Sequence, residues 1–577
     1  MRTVNGPFPG IRFGAACIPV PDQNGDGSKD LLVGAPNFNG ARGAIYCVSG
    51  TYLASGVGAQ ILWSLAPTGS VDDNFGAALA DVGDVTGDGV HDFLVGEPGY
   101  DFSTSTGQQN VGAVRLVNGA SHGIVSLIRG SYGDRLGTSI SACGDLNSNG
   151  YVDVAIGGPD YSIVGVVRIL DGIVLTQNAE VSTVDMEAVS GTFYGDRLGL
   201  SVASGFDLTG DGKSDVVIGV PGFTAGGAHG AGKVVIYDPI QDLSYSVTAF
   251  VTYEYLGSSV AIGDDYDADG VRDIVAGAPF FQNGTGYDVG RAVVFSTARV
   301  LAQTPPYEIY SFPYGGVTPP TNHADPEPHF HFGTTVSAST DLNNDGVAEI
   351  LIGAPDYFTQ GLSGWNFRGL VRIYSGASGQ LLTSVTGGST DRLGSAIAPN
   401  VGDLDGDGFG ELALAGALSD AGGTDSGVLR CYRLFPIPAS SYCIGKLNSA
   451  GCTPFMTANG IASASATTAF PVGALNVVNQ KNGLLFYGQS SSATPFQGGT
   501  KCVGNPIHRT VVQASGGSAS GADCTGSFSF DFNAWIGSGV DSSLTPGAEV
   551  FSQYWSRDPA SPSHTSLSNA LRFVVNP

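Results

Sequence analysis

Asp265-Tyr266-Asp267-Ala268-Asp269-Gly270-Val271-Arg272-Asp273 runs directly into Ile274-Val275-Ala276-Gly277-Ala278-Pro279. The first stretch places carboxylates at positions one, three, five and nine of a tight loop with Gly at six, the donor set of a hard-cation site. The second is an apolar run bounded by Gly and Pro, too short for a helix, and reads as a buried strand. The pair recurs seven times, with loops opening at Asp22, Asp84, Asp145, Asp207, Asp265, Asp341 and Asp403. A repeat of roughly 60 residues that does not decay points to a propeller or an array, in which no unit buries its apolar face alone.

Every unit opens with Phe or Leu before Gly: Phe13-Gly14, Phe75-Gly76, Leu136-Gly137, Leu198-Gly199, Leu256-Gly257, Phe332-Gly333 and Leu393-Gly394. A third segment starts with Gly and alternates, as in Gly43 to Gly50 and Gly112 to Gly119, and a looser fourth leads to the next unit. Four strands per repeat make one propeller blade. The opening dipeptide, the acidic loop and the Gly-Ala-Pro turn together resemble the FG-GAP repeat of integrin α-subunits, over residues 1–435. That resemblance implies a seven-bladed ring, the number of units counted here. Unit seven departs from the pattern, with Ala415-Gly416-Ala417 where Gly-Ala-Pro falls elsewhere.

A ring must close. After the third segment of unit seven the chain enters Phe435-Pro436-Ile437-Pro438 without a fourth strand, while Val4 to Gly14 aligns with Val189 to Gly199, the end of a fourth strand. The expectation is an all-β fold: a seven-bladed β-propeller of four-stranded blades closed by the N-terminal strand, followed by a small C-terminal β-sandwich over 436–577. By the same alignment the chain starts partway through that strand, so residues upstream of Met1 are expected, a secretory signal among them. Met1 to Gly14 has no apolar segment of that kind.

Alternate residues of such a loop turn oxygens inward, and a backbone carbonyl at position seven completes the set. The expected Ca²⁺ ligands are Asp22, Asn24, Asp26, Ser28 and Asp30 in loop one and Asp84, Thr86, Asp88, Val90 and Asp92 in loop two. Loop three offers Asp145, Asn147, Asn149, Tyr151 and Asp153, and loop four Asp207, Thr209, Asp211, Lys213 and Asp215. Loop five offers Asp265, Asp267, Asp269, Val271 and Asp273, and loop six Asp341, Asn343, Asp345, Val347 and Glu349. Loop seven offers Asp403, Asp405, Asp407, Phe409 and Glu411. The last carboxylate sits at position nine with strands on both sides, unlike the helical EF-hand. By ligand charge, loops five and seven rank strongest and loop three weakest.

Composition fits this reading. The formal charge is −26, from 51 acidic and 25 basic residues, and up to seven bound Ca²⁺ would offset much of it. Unfilled loops would hold clustered like charges, so the metal is expected to stabilise the fold. With no basic stripe, nucleic acid is not an expected partner. No run reaches the length of a membrane-spanning helix.

Beyond residue 436 the acidic loops stop and Cys443, Cys452, Cys502 and Cys524 appear among short apolar runs such as Gly483 to Gly488. Four cysteines in a loop-rich domain read as two disulfides, with three pairings open. Tyr442-Cys443, Asn448 to Pro454 and Thr494 to Gly499 resemble a C-terminal module of secreted planctomycete proteins. In the propeller, Cys17 and Cys47 share a unit and are a further candidate pair. Cysteine usage together with Ca²⁺ loops favours an oxidising, extracellular compartment.

Enzyme signatures are sparse. Gly119-Ala120-Ser121-His122-Gly123 fits a nucleophile-elbow pattern but falls between two strands of a blade, where a turn is expected. The stretch from Asp265 to Asp341 is longer than the other repeats and carries His323, Asp325, His329 and His331 among prolines, a candidate transition-metal or recognition loop. Arg12, Arg135, Arg197 and Arg392 precede the Phe/Leu-Gly, a register that predicts a structural hydrogen bond between blades. No Arg-Gly-Asp tripeptide occurs. The expectation is a monomeric, non-enzymatic extracellular scaffold for a protein or glycan ligand. The alternatives are a secreted hydrolase or lyase, with carboxylates or histidines converging outside the loops, and a structural envelope component without a discrete concave site.

Overall fold

The computed structural model describes all residues except 1, 69–71, 103–109, 161–163, 177–179, 183–184, 191–194, 283–287, 314–329, 339–340, 343–345, 362–363, 399, 405–409, 434–438, 464–467, 546–547 and 576–577. The chain divides into two compact units. One comprises Met1–Leu342 with Val347–Arg433, and the other contains Leu434–Pro577.

The first unit is a β-propeller built from successive antiparallel sheets. In the first sheet Cys17–Val20, Asp30–Ala35, Ala44–Val48 and Ile61–Leu65 pair in chain order. Seven propeller sheets occur among the described residues; six are four-stranded, and one departs from the expected four-stranded blade, with Glu180–Ser182 added parallel to Ile124–Arg129 as a fifth strand. The second strand of each is buried throughout, as in Asp30–Ala35 and Ile350–Ala354, which is why these stretches read as uninterrupted apolar runs. The last sheet takes its outer strand from the N-terminus: Arg2–Asn5 pairs antiparallel with Val428–Tyr432, setting Thr3 opposite Arg430 and Val4 opposite Leu429.

Packing between sheets explains the repeat's two glycine positions. The Gly of each Gly-Ala-Pro lies against the Gly of the next unit's opening dipeptide: a Cβ on Gly34 would stand 1.9 Å from the Gly76 carbonyl oxygen, and one on Gly277 would stand 2.0 Å from that of Gly333. The same contact joins Gly96 to Gly137, Gly157 to Gly199, Gly219 to Gly257 and Gly353 to Gly394. Ala415 takes the position in unit seven, beside Gly14 of unit one, so the departure in sequence leaves the strand Leu412–Gly416 intact and falls at the ring closure.

Cys17 and Cys47 are not bonded; both are buried free thiols. Cys17 lies opposite Val33 and Cys47 opposite Leu32, so they point to opposite faces of one sheet. Cys17 packs with Val4 and Cys431, Cys47 with Phe75 and Phe93. Side-chain alternation rules out the pair that proximity in sequence suggested.

In the second unit, Thr565–Val574, Glu549–Arg557 and Asn482–Gly488 form the centre of one sheet, and Phe455–Ala458, Pro471–Val477 and Gly526–Asp531 form another. Phe470, Phe528, Phe532, Tyr554 and Phe573 fill a common core. Disulfides join Cys443 to Cys502 and Cys452 to Cys524, which selects one of the three pairings.

Candidate metal centre and binding cleft

Antiparallel pairing sorts each blade's loops by end. The acidic loop joins the first strand to the second, so it shares an end with the turn between the third and fourth strands. The Phe/Leu-Gly and Gly-Ala-Pro turns lie at the other end.

At the acidic end the loops are pinned by their own carboxylates. Asp22 accepts the amides of Gly25 (2.7 Å) and Gly27 (2.6 Å), and Asp26 accepts that of Ser28 (3.0 Å). The left-handed backbone at the sixth position, φ 88° at Gly27 and 93° at Gly270, is one that Gly adopts without penalty. The ninth-position acid has a second role that its spacing does not reveal. Asp30, Asp92, Asp153, Asp215, Asp273, Glu349 and Glu411 are all buried. Asp30 accepts the amides of Gln23 (2.7 Å) and Gly50 (2.9 Å), and Asp153 those of Leu146 (2.8 Å) and Gly172 (2.8 Å). This carboxylate therefore clamps the loop to the neighbouring turn. Burial, the largest influence, pushes the pKa of Asp215 up to about 6 and that of Asp273 up to about 7, with backbone amides opposing it.

Loop five fits a divalent cation. Carboxylate oxygens of Asp265, Asp267 and Asp269 lie within 4.8 Å of one another, the one such group among the described residues. Among the described residues Asp267 Oδ1 is buried with no hydrogen-bond partner, while its other oxygen meets Arg299 at 3.1 Å. Elsewhere, side chains from outside the loop intervene. Asp171, on the turn after the third strand, accepts the amides of Asn147 and Asn149 at 2.8 Å each, adding a carboxylate to loop three that the motif omits. Lys213 of loop four donates to the Asp145 carbonyl (2.7 Å), placing an ammonium beside loop three. Asn343, Asp345, Asp405, Asp407 and Phe409 lie outside the described residues, as do His323, Asp325 and His329.

The opposite end holds a ring of strained residues. Arg12, Asn74, Arg135, Arg197, Tyr255, His331 and Arg392, each just before Phe/Leu-Gly, all have left-handed φ between 48° and 61°. Such a backbone costs a residue with a Cβ about 1 kcal/mol or more. Cross-blade amide bonds hold it, such as Tyr255 N to Gly230 O at 2.8 Å and Asn74 N to Ala41 O at 2.7 Å. Arg135 pairs with Asp160 (3.1 Å) inside its own unit, while Arg392 reaches Asp356 (3.2 Å) of the preceding unit. The expected hydrogen bond between blades is made by the backbone amide at Arg135, which donates to Asn110 O at 3.1 Å, and by both the amide and the side chain at Arg392.

Where Tyr255 and His331 replace Arg, a cleft of about 840 Å³ opens, lined by Arg197, Tyr253, Tyr255, Phe280, Asp288, His331 and Asp356 among others. Tyr253 stacks beside Tyr255, Phe280 packs edge-on to Tyr255 at 5.3 Å, and His331 lies 4.8 Å from Phe280. His331 Nδ1 is 2.7 Å from Asp356 Oδ2. The Arg197 guanidinium makes no ion pair or hydrogen bond among the described residues. Phe250, Val251 and Tyr253 add exposed apolar surface nearby in the chain. The sequence singled out His331 and Arg197 for other roles and did not bring them together. The Gly119–Gly123 segment is a turn, with Ser121 N bonded to Asn118 Oδ1 at 2.6 Å.

A family model described as FG-GAP repeat matches residues 75–117, 198–237, 256–295 and 332–373. Integrin alpha pat-2 of Caenorhabditis elegans is 28% identical over 304 residues, covering 48% of this chain and 22% of that protein. Integrin alpha-4 of Xenopus laevis is 36% identical over 160 residues, covering 26% of this chain and 14% of that protein. The chain thus spans less than a quarter of the length of these relatives. Among solved structures, the Dos1 propeller aligns at TM-score 0.37 with 11% identity, covering 72% of this chain and 81% of that one. The propeller described here carries FG-GAP repeats and is homologous to part of the integrin α-subunit.

Proposed function

We propose that the protein is an extracellular Ca²⁺-binding scaffold whose seven-bladed propeller, residues 1–435, presents a ligand-binding cleft at the end opposite its acidic loops. The observation that carries the metal is the convergence of Asp265, Asp267 and Asp269 with a buried, unpartnered oxygen on Asp267. A bound Ca²⁺ supplies the positive charge that such a group lacks; the chain's own residues fix the loops through amide-to-carboxylate bonds and clamp them to the third-to-fourth-strand turns. Two disulfides in the second unit support an oxidising compartment.

The cleft's aromatic wall beside an unpaired Arg197 suits a protein or glycan, since aromatic faces stack on apolar surfaces while the guanidinium selects an anionic or carbonyl group. Binding of the purified chain to arrayed extracellular proteins and glycans tests this. A hit should weaken at least tenfold in Tyr253→Ala and Arg197→Ala, whereas binding indifferent to both would place the ligand elsewhere. A second reading, a hydrolase, is favoured by Asp288, His331 and Asp356 lining one cleft. Asp288 accepts Gln282 Nε2 at 2.9 Å, and His331 is engaged by Asp356. Turnover of a polysaccharide or phosphoester abolished by His331→Gln would establish it.

A further inference from the structure

The large sheet of the second unit has a second apolar face. Leu485, Tyr487 and Tyr554 belong to the core, while the alternate residues Leu484, Phe486 and Trp555 join Ile507, Val503 and Leu567 in a separate cluster. The hairpin Ser491–Phe496 with Gly499–Val503 flanks a cavity of about 340 Å³. Its walls are Leu484, Phe486, Phe496, Ile507 and Trp555, and its polar lining is Gln497, Lys501 and Arg509.

Among the described residues, no carboxylate lines this cavity. The side chains of Lys501 and Arg509 make no hydrogen bond or ion pair among the described residues. In a chain with 51 acidic and 25 basic residues, two uncommitted cations at one apolar cavity run against the composition. Arg509 is the register partner of Phe486, which sets it on the same face of the sheet. A third cation, Lys446, is by contrast fully engaged, donating to the carbonyls of Gln497 (3.0 Å) and Thr565 (2.7 Å). Lys446 thereby ties the hairpin down, as do the Cys443–Cys502 bond and the 2.9 Å bond from Trp555 Nε1 to Gln497 Oε1. The cavity is thus preformed, and a ligand need not order its walls.

We propose that this cavity binds a small amphipathic anion, its acyl or aromatic body packed between Phe486, Ile507 and Trp555 and its anionic head held by Lys501 and Arg509. A neutral body of the same shape leaves both cations uncompensated, and a cationic one is repelled.

The test uses the full chain with two fluorescent probes: 8-anilinonaphthalene-1-sulfonate and its uncharged parent N-phenyl-1-naphthylamine. The sulfonate should saturate at one per chain and bind more tightly than the parent. Lys501→Gln/Arg509→Gln, both solvent-reaching positions, should weaken the sulfonate about fivefold or more and leave the parent unchanged. An unaltered melting curve excludes misfolding of the variant. Displacement by octanoate assigns an acyl body and displacement by indole-3-acetate an aromatic one. Equal binding of both probes, sulfonate binding insensitive to the double variant, or displacement by neither acid would overturn the proposal.

Discussion

Two residues before each Phe/Leu-Gly, the chain places Ile11, Asp73, Asp134, Asp196, Glu254, Phe330 and Asp391, all buried. On the third strand of the same unit a base answers the acid: Arg168 meets Asp134 at 3.1 Å, and Arg430 meets Asp391 at 2.5 Å. Glu254 pairs with Arg291, which stands two positions earlier on its strand and hence on the same face. In unit one the acid and base become Ile11 and Tyr46, packed in one apolar cluster. The repeated Asp-Arg-Leu-Gly at 134, 196 and 391 was the visible signal. The role of its Asp is not legible locally, because only the fold brings the distant third-strand base alongside. Arg168→Met should therefore destabilise by about 3 kcal/mol in denaturant unfolding, because it strands a buried carboxylate. Asp134→Ile/Arg168→Tyr, which copies unit one, should recover most of that loss.

The ninth-position acids give a pH signature at the same scale. Asp273 rises from its ordinary 3.8 to about 7, first through burial, with the charges of Asp267 and Asp269 adding to it. A carboxyl whose folded pKa lies above its unfolded value stabilises fully below that unfolded value and loses the effect as pH climbs through the folded one. Asp145, held low chiefly by the Gly150 amide, has the opposite sign and acts below the ordinary carboxylate range. The chelated protein should thus melt at a lower temperature at about pH 8 than at about pH 5, and Ca²⁺ should raise Tm more at the higher pH, where the ligands are already ionised. Scanning calorimetry across that window decides it, and a chelated Tm that climbs with pH would count against the clamp geometry.

Among elements, the glycine contacts between sheets are what the Phe-Gly and Gly-Ala-Pro spelling encodes. Gly277→Ala would set a methyl 2.0 Å from the Gly333 carbonyl oxygen and 2.5 Å from Ser259 Oγ. Backbone cannot retreat as a side chain can, so a loss of about 2–3 kcal/mol in equilibrium unfolding is expected. Gly270→Ala is the contrast: its Cβ meets nothing within 4 Å, and only the positive φ penalises it. Strand order and N-terminal closure were legible in sequence because both follow from local pattern and in-register repetition. The Cys17–Cys47 pairing misled because sequence spacing carries no information about which face a strand residue takes until the register is known.

On the scale of the molecule, the propeller carries its acidic loops at one end and the aromatic cleft at the other. Seven-fold repetition made the acidic end readable, since one motif specifies its own loop. The cleft was not readable, because it arises where Tyr255 and His331 interrupt the Arg ring, and its residues come from separate units brought together by the fold. The second unit's disulfide partners likewise emerged only from topology. The account rests on Ca²⁺ holding the acidic end together, since carboxylates so arranged repel when unfilled. Calorimetric titration of Ca²⁺ into the chelated full chain, with thermal melts before and after, tests that most directly. Binding of several ions, with Asp267→Asn removing one and Tm rising markedly on loading, is the predicted result. No saturable binding, or an unchanged melt, would contradict it and leave the acidic loops as hydrogen-bonded turns.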